Sequence, residues 1–185
     1  MVTFNPSKSE LAKIDDKIFV SFVEMSSVSN YGYIKTMVDR QMNEIKKGSY
    51  TYFAENDIII AKITPCMENG KCAIATGLTN SIAYGSSEFH VLRCKEGVLN
   101  KYIFGYINRE KIRQEAAKCM TGSSGHRRVP ISFYESLTIP ALSIAEQEKI
   151  VARADEIQSK INKAEDALKS LNGKISDILN RYLAK

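Results

Sequence analysis

Asp57, Glu68 and Lys71 are the residues of this chain whose types could cut a phosphodiester. Two carboxylates could hold a divalent cation and an ammonium could steady the developing charge. Their spacing argues against it. Glu68 lies three residues before Lys71, so on one strand the two would face opposite ways, and the intervening Asn69-Gly70 is itself a turn signal. Methyl transfer to an exocyclic amine asks for an Asn/Asp-Pro-Pro-aromatic motif and a glycine-rich cofactor loop. Asn5-Pro6-Ser7 lacks the second proline and the aromatic, and no GxG loop follows a strand. His90 and His126 have no neighbours that would make a nucleophile–base pair. Cys66, Cys72, Cys94 and Cys119 contain no CxxC pair, so neither zinc nor a disulfide framework is expected, and the thiols read as those of a reducing cytoplasm. The chain is expected to do no chemistry of its own.

Binding is better supplied. Gly122-Ser123-Ser124-Gly125 lets a backbone approach a nucleic acid closely, with hydroxyls and amides to meet phosphates. His126, Arg127 and Arg128 add charge, and an Arg fork can read guanine O6 and N7. The plain alternative is a surface loop between a helix and a strand. Lys62, Thr64 and Lys71 are further candidate contacts at the edge of a sheet. Asn69-Gly70 reads first as a two-residue hairpin turn. Ser27, Ser29, Asn30, Tyr31 and Tyr33 form a polar, turn-rich segment where sequence readout could sit, whereas Tyr50, Tyr52 and Phe53 read as core. A formal charge of +5 is compatible with nucleic acid without demanding it.

These residues need a scaffold, and 185 residues allow one globular domain and an appendage. Strand patterns fall at Lys17 to Met25, Tyr50 to Phe53, Asp57 to Thr64, Lys71 to Thr76, Ile82 to Tyr84 and Glu88 to Arg93. A short helix is allowed over Ser9 to Asp16, and Arg40 to Lys47 fits strand or helix equally. From Leu99 the spacing turns helical, over Leu99 to Asn108 and Glu110 to Met120. Strands first and helices after predict an α+β domain over residues 1–142. No signal peptide is visible at Met1 and no apolar run of about 18 residues occurs, so a cytoplasmic protein without a membrane span is expected.

The appendage is residues 143–185. Ser143 stands three residues before Glu146, the spacing of a capping box. Ile150, Ala154, Ile157, Ile161, Ala164, Leu168, Leu171, Ile175, Ile178 and Tyr182 then follow in alternating steps of four and three, the seam of a coiled coil. The heptad runs through Asn172-Gly173, so a continuous helix is expected. Such a stripe requires a second helix, and no earlier segment offers one. Arg153, Lys160, Lys174 and Arg181 line one flank, and only Glu165 supplies an acid on the other. An antiparallel self-pair centred near Ala167 would therefore oppose like charges.

Four stretches in order carry a resemblance. They are FAENDIIIAKITPCMENGKCAI (Phe53 to Ile74), SSEFHVLR (Ser86 to Arg93), TGSSGHRRVP (Thr121 to Pro130) and LTIPALSIAEQEKIV (Leu137 to Val151). Together they resemble specificity subunits of type I restriction–modification systems. The resemblance implies a mixed α/β target recognition domain over 1–142 and a long C-terminal coiled-coil helix over 143–185. The helix would serve dimerisation and docking of the methyltransferase subunit. It further implies a non-catalytic reader of one half of a bipartite site on double-stranded DNA, with S-adenosylmethionine on the partner subunit and no cofactor of its own. Full-length members carry two recognition domains and two helices; one of each here reads as a half-subunit that homodimerises through its helix. Recruitment of a restriction subunit is left open. The alternatives are a helix-mediated assembly module that does not read DNA and, ranked last, an autonomous nuclease.

Overall fold

A computed structural model describes residues 1–123 and 125–183, in two compact units, Met1–Ile144 and Ala145–Lys185. The first unit is built on two four-stranded sheets. One has the order β1 (Val2–Phe4), β8 (Phe89–Cys94), β5 (Ile58–Ala61), β6 (Cys72–Ile74), antiparallel throughout. The other has the order β3 (Val38–Gln41), β2 (Phe19–Val23), β7 (Ile82–Gly85), β4 (Thr51–Ala54), with β2 and β7 parallel.

β5 explains its own composition. Ile59 joins Val23, Phe53, Ala73, Phe89 and Val91 in one core cluster, while Ile60 borders Met67, Cys72, Ile107 and Tyr134. A strand covered on both faces has no use for polar alternation, hence the run of three isoleucines. A second cluster, including Leu11, Phe22, Met42, Ile45, Tyr52 and Tyr84, seats a 3-10 turn at Lys8–Leu11 and the one-turn α1 (Met42–Ile45). Tyr52 and Phe53 are buried, as expected, but Tyr50 is exposed at 38%, its ring only edge-on to Phe22 with centroids 4.9 Å apart.

Helices follow: α2 (Asn100–Ile107), α3 (Glu110–Lys118) and α4 (Ile131–Glu135). Tyr102 and Tyr106 of α2 donate their hydroxyls to the carbonyls of Pro140 and Thr138, at 3.1 and 2.9 Å, and so fasten the extended piece that precedes the long helix. β1 and α4 were not anticipated; at three and five residues they are too short for a period to declare itself.

Asn69-Gly70 does not make the two-residue hairpin its sequence suggested. Residues 62–71 intervene between β5 and β6. Met67 and Asn69 donate to the carbonyls of Ile63 and Pro65, and Gly70, at φ 77°, donates to Met67 and ends this helical turn. The glycine is there because the turn leaves in the left-handed region.

The second unit is α5, one helix over Ile144–Leu183 that begins directly after Ser143 and passes through Gly173 without a break. At 1.5 Å per residue its forty residues measure roughly 60 Å. Every described side chain of the predicted seam is exposed, from Ile150 to Tyr182. Two of the flank cations are already engaged: Arg153 and Lys160 both pair with Glu156, at 2.5 and 2.7 Å. The like-charge objection to self-pairing is weaker than the sequence implied. No helix among the described residues is long and apolar enough to cross a membrane.

Candidate nucleic-acid interface

The basic loop leaves α3 as a narrow hairpin. Thr121 and Arg128 exchange both backbone hydrogen bonds, at 3.0 and 2.8 Å, and His126 donates to the Ser123 carbonyl across the tip. Gly122 sits at φ 120°, where an added Cβ would lie 2.8 Å from the His126 carbonyl oxygen, so only glycine closes this ring. The returning limb pairs with the chain beyond β5. Thr64 donates to Arg127 and Val129 to Lys62, with a bridge between Ile63 and Arg128. The loop is therefore an extension of the first sheet.

This pairing gathers Lys62, Thr64, Gly122, Ser123, His126, Arg127 and Arg128 at the end of the sheet where β5 finishes and β8 begins. Gly122, Ser123 and His126 are exposed there. Ser124 lies outside the described residues. Lys71 leads into β6 at the same end of the sheet, but its ammonium is turned to the Met25 carbonyl, to which it donates at 2.8 Å. Thr64 directs its hydroxyl to Met120 Sδ and Glu68, at 3.5 and 3.3 Å.

Both guanidiniums of the loop are engaged within the protein. Arg128 grips Glu88 through Nε and Nη2, at 2.9 and 2.7 Å, and donates Nη1 to the His126 carbonyl. Arg127 donates Nη2 to the carbonyls of Ala117 and Met120, closing the C-terminal end of α3. The hydrogen bond from Arg128, opposed by partial burial and aided by the charges of Arg128 and Lys62, holds the Glu88 carboxyl below its usual range. The loop is thus pre-shaped by its own arginines, and a phosphate would have to compete with Glu88 for the Arg128 fork. Glu88 was not singled out from the sequence, although it lies within one of the four matching stretches.

The nuclease set does not converge. Asp57 is buried and bound by the Arg93 fork at 2.8 and 2.7 Å, Glu68 accepts from Thr64, and Lys71 serves Met25.

A two-sheet α+β unit with an exposed basic hairpin, and a separate long helix with an open seam, describe a scaffold for binding. Over residues 5–171 the sequence matches the family described as type I restriction modification DNA specificity domain. It is 39% identical over 147 residues to the type I restriction enzyme EcoAI specificity subunit of Escherichia coli, covering 78% of this chain and 25% of that protein. To the EcoEI specificity subunit of the same organism it is 39% identical over 153 residues, covering 82% and 25%. The chain spans about a quarter of the length of these curated relatives. The fold recurs in the HsdS subunit from Thermoanaerobacter tengcongensis, with a TM-score of 0.65 at 17% identity over 80% of this chain and 38% of that one. A chain from a study of complex assembly and conformational transition of the type I R-M system gives 0.67 at 13% identity, covering 100% and 43%. The chain belongs to the type I restriction–modification specificity family, as its four stretches suggested.

Proposed function

We propose that the Met1–Ile144 unit reads one half of a split site on double-stranded DNA, and that α5 dimerises and docks a methyltransferase subunit. The observation that carries this is the family match over residues 5–171, which takes in both the sheet unit and most of the helix. The chain itself is a non-catalytic positioning subunit; S-adenosylmethionine belongs to the partner. The exposed basic hairpin fits phosphate anchoring, and the open seam of α5 fits a helical partner. A dimer with two-fold symmetry presents two such units and reads an inverted, two-part sequence.

Footprinting and gel shift with the methyltransferase subunit present test this reading. A preference for one inverted bipartite sequence is expected, and indifference to every such sequence overturns it. Replacing Arg127 and Arg128 together by Ala should lower DNA affinity by roughly tenfold or more, reduce the dependence of log affinity on log salt by about one to two, and leave subunit assembly unchanged. Because both arginines also shape the loop, Lys62→Ala serves beside them, removing a charge while keeping the backbone bonds. Unchanged affinity in both variants removes the hairpin from the interface.

An assembly module that does not read DNA is the second reading. It draws support from the internal engagement of both guanidiniums. Retained dimerisation and methyltransferase binding, with DNA affinity indifferent to sequence, select it.

A further inference from the structure

Between β2 and β3 the chain makes a small hairpin, residues 26–36, that is far better fastened than a connection requires. A bridge between Val28 and Ile34 closes it. Ser29, 1% exposed, sits at its centre, with Oγ accepting the Tyr31 and Tyr33 amides at 3.0 and 3.2 Å and its own amide donating to the Tyr33 carbonyl. Gly32, at φ 94°, pairs with Ala73 of the edge strand β6 and presses on α2 so closely that a Cβ would lie 2.6 Å from the Phe104 ring. Lys71 anchors the segment leading into the hairpin through the Met25 carbonyl.

Covering the open edge of β6 accounts for the backbone and for Gly32. It does not account for the two side chains flanking that glycine. Tyr31 and Tyr33 are 69% and 53% exposed, beside an exposed Asn30. A rigid loop offering two phenols and an amide is chemically unlike an aliphatic patch awaiting a protein core. Each ring has an apolar face that can lie against a base or sugar, and each hydroxyl can donate to or accept from a base edge. Its position agrees. Lys71 opens β6 at the same end of the sheet at which Lys62 leaves β5 and meets the basic hairpin. The tyrosine hairpin thus lies along the edge strand β6, and the phosphate-binding candidates gather where the neighbouring strand β5 ends.

We infer that the 26–36 hairpin is a base-reading element and that Tyr31 and Tyr33 are specificity-determining residues for DNA. The inference rests on the DNA-reading function proposed above and divides its labour: the 121–128 hairpin holds the backbone, and the tyrosines choose the sequence.

Selection from a randomised duplex library, with the full chain assembled on its methyltransferase subunit, tests it. The variants are Tyr31→Ala and Tyr33→Ala, with Tyr31→Phe and Tyr33→Phe retaining the rings should an alanine loosen the hairpin. The wild-type assembly is expected to enrich a bipartite motif. At least one alanine variant should lose about tenfold discrimination at one or two adjacent base pairs of each half-site. Affinity for unrelated DNA and the melting temperature should stay at wild-type values. A wild-type motif that survives all four variants unaltered overturns this assignment alone. Failure of the wild type to enrich any motif overturns the underlying DNA-reading function and this assignment with it.

Discussion

His90 lies inside β8 with its imidazole nearly enclosed, Nε2 2.9 Å from the Val129 carbonyl and the ring edge-on to Tyr134. The neutral ring donates that bond, and burial pushes the imidazole below its ordinary 6.5, the contact with Val129 opposing only in part. A lowered folded value means that the unfolded chain binds the proton more readily. The stability this group contributes is complete above about pH 6.5 and is lost as pH falls from there through the lower folded value. The melting temperature should therefore drop between pH 7.5 and 5.5, and His90→Gln should flatten that drop. A wild-type melting temperature level across the window would contradict the assignment. Glu88 acts in a separate, more acidic window. Its carboxyl, held low first by Arg128, supports the fold above about pH 4.5 and ceases to as pH falls below it. Neither role could be read from the chain, because Val129 and Arg128 lie 39 and 40 residues from the groups they meet.

Among the elements, one carboxylate does the joining. Asp57 precedes β5, accepts both arms of Arg93 from β8, and takes the Ala54 amide from the end of β4 at 2.7 Å. Arg93 reaches on to Glu10 in the first 3-10 turn at 2.5 Å. Two strands of one sheet, the last residue of a strand in the other, and the N-terminal turn thus meet on one arginine and its two carboxylates. The Asp57 side chain is 2% exposed and that of Arg93 29%. Asp57→Ala removes the acceptor of a backbone amide and of Nε and Nη2 of the Arg93 guanidinium, which keeps Glu10 at Nη1. The expected loss is about 3 kcal/mol, the low end for a broken buried pair because Arg93 keeps partial access to water. Urea unfolding measures it as a lower midpoint at unchanged slope; a midpoint equal to wild type would reject the role. The strand pattern at this site was legible, since β5 announces itself as IIIA. The chemistry was not. Asp57 has the same residue type whether it holds a metal ion or an arginine, and only the arrival of β8 beside β5 settles which.

For the molecule as a whole, the feature that matters most is the exposed apolar seam of α5. Eight large apolar seam side chains are exposed, among them Ile161 at 44%, Leu168 at 59% and Leu171 at 55%. Pairing with a second copy would remove each from water for about 1.5–3 kcal/mol when fully buried. Sedimentation equilibrium of the wild-type chain should show a dimer. Leu168→Glu with Leu171→Glu, which places charge in the seam, should leave a monomer whose Met1–Ile144 unit melts as before. A wild-type chain that stays monomeric at micromolar concentration would assign the seam to a different helix.

The seam, six of the eight strands of the two sheets (all but β1 and β3) and the family were written in neighbouring residues. A 3.5-residue period, an unbroken apolar run and four ordered stretches are properties of chain order, and folding does not alter them. The use of each charged group was not written there. Arg128 belongs to Glu88, Arg127 to the end of α3, Lys71 to the foot of the tyrosine hairpin, and Asp57 to Arg93. Hydrogen bonds and ion pairs depend on separations of about 3 Å in space. When the partners stand 36 to 46 residues apart, as Arg128, Lys71 and Asp57 do from theirs, that separation comes into being only when the sheets assemble.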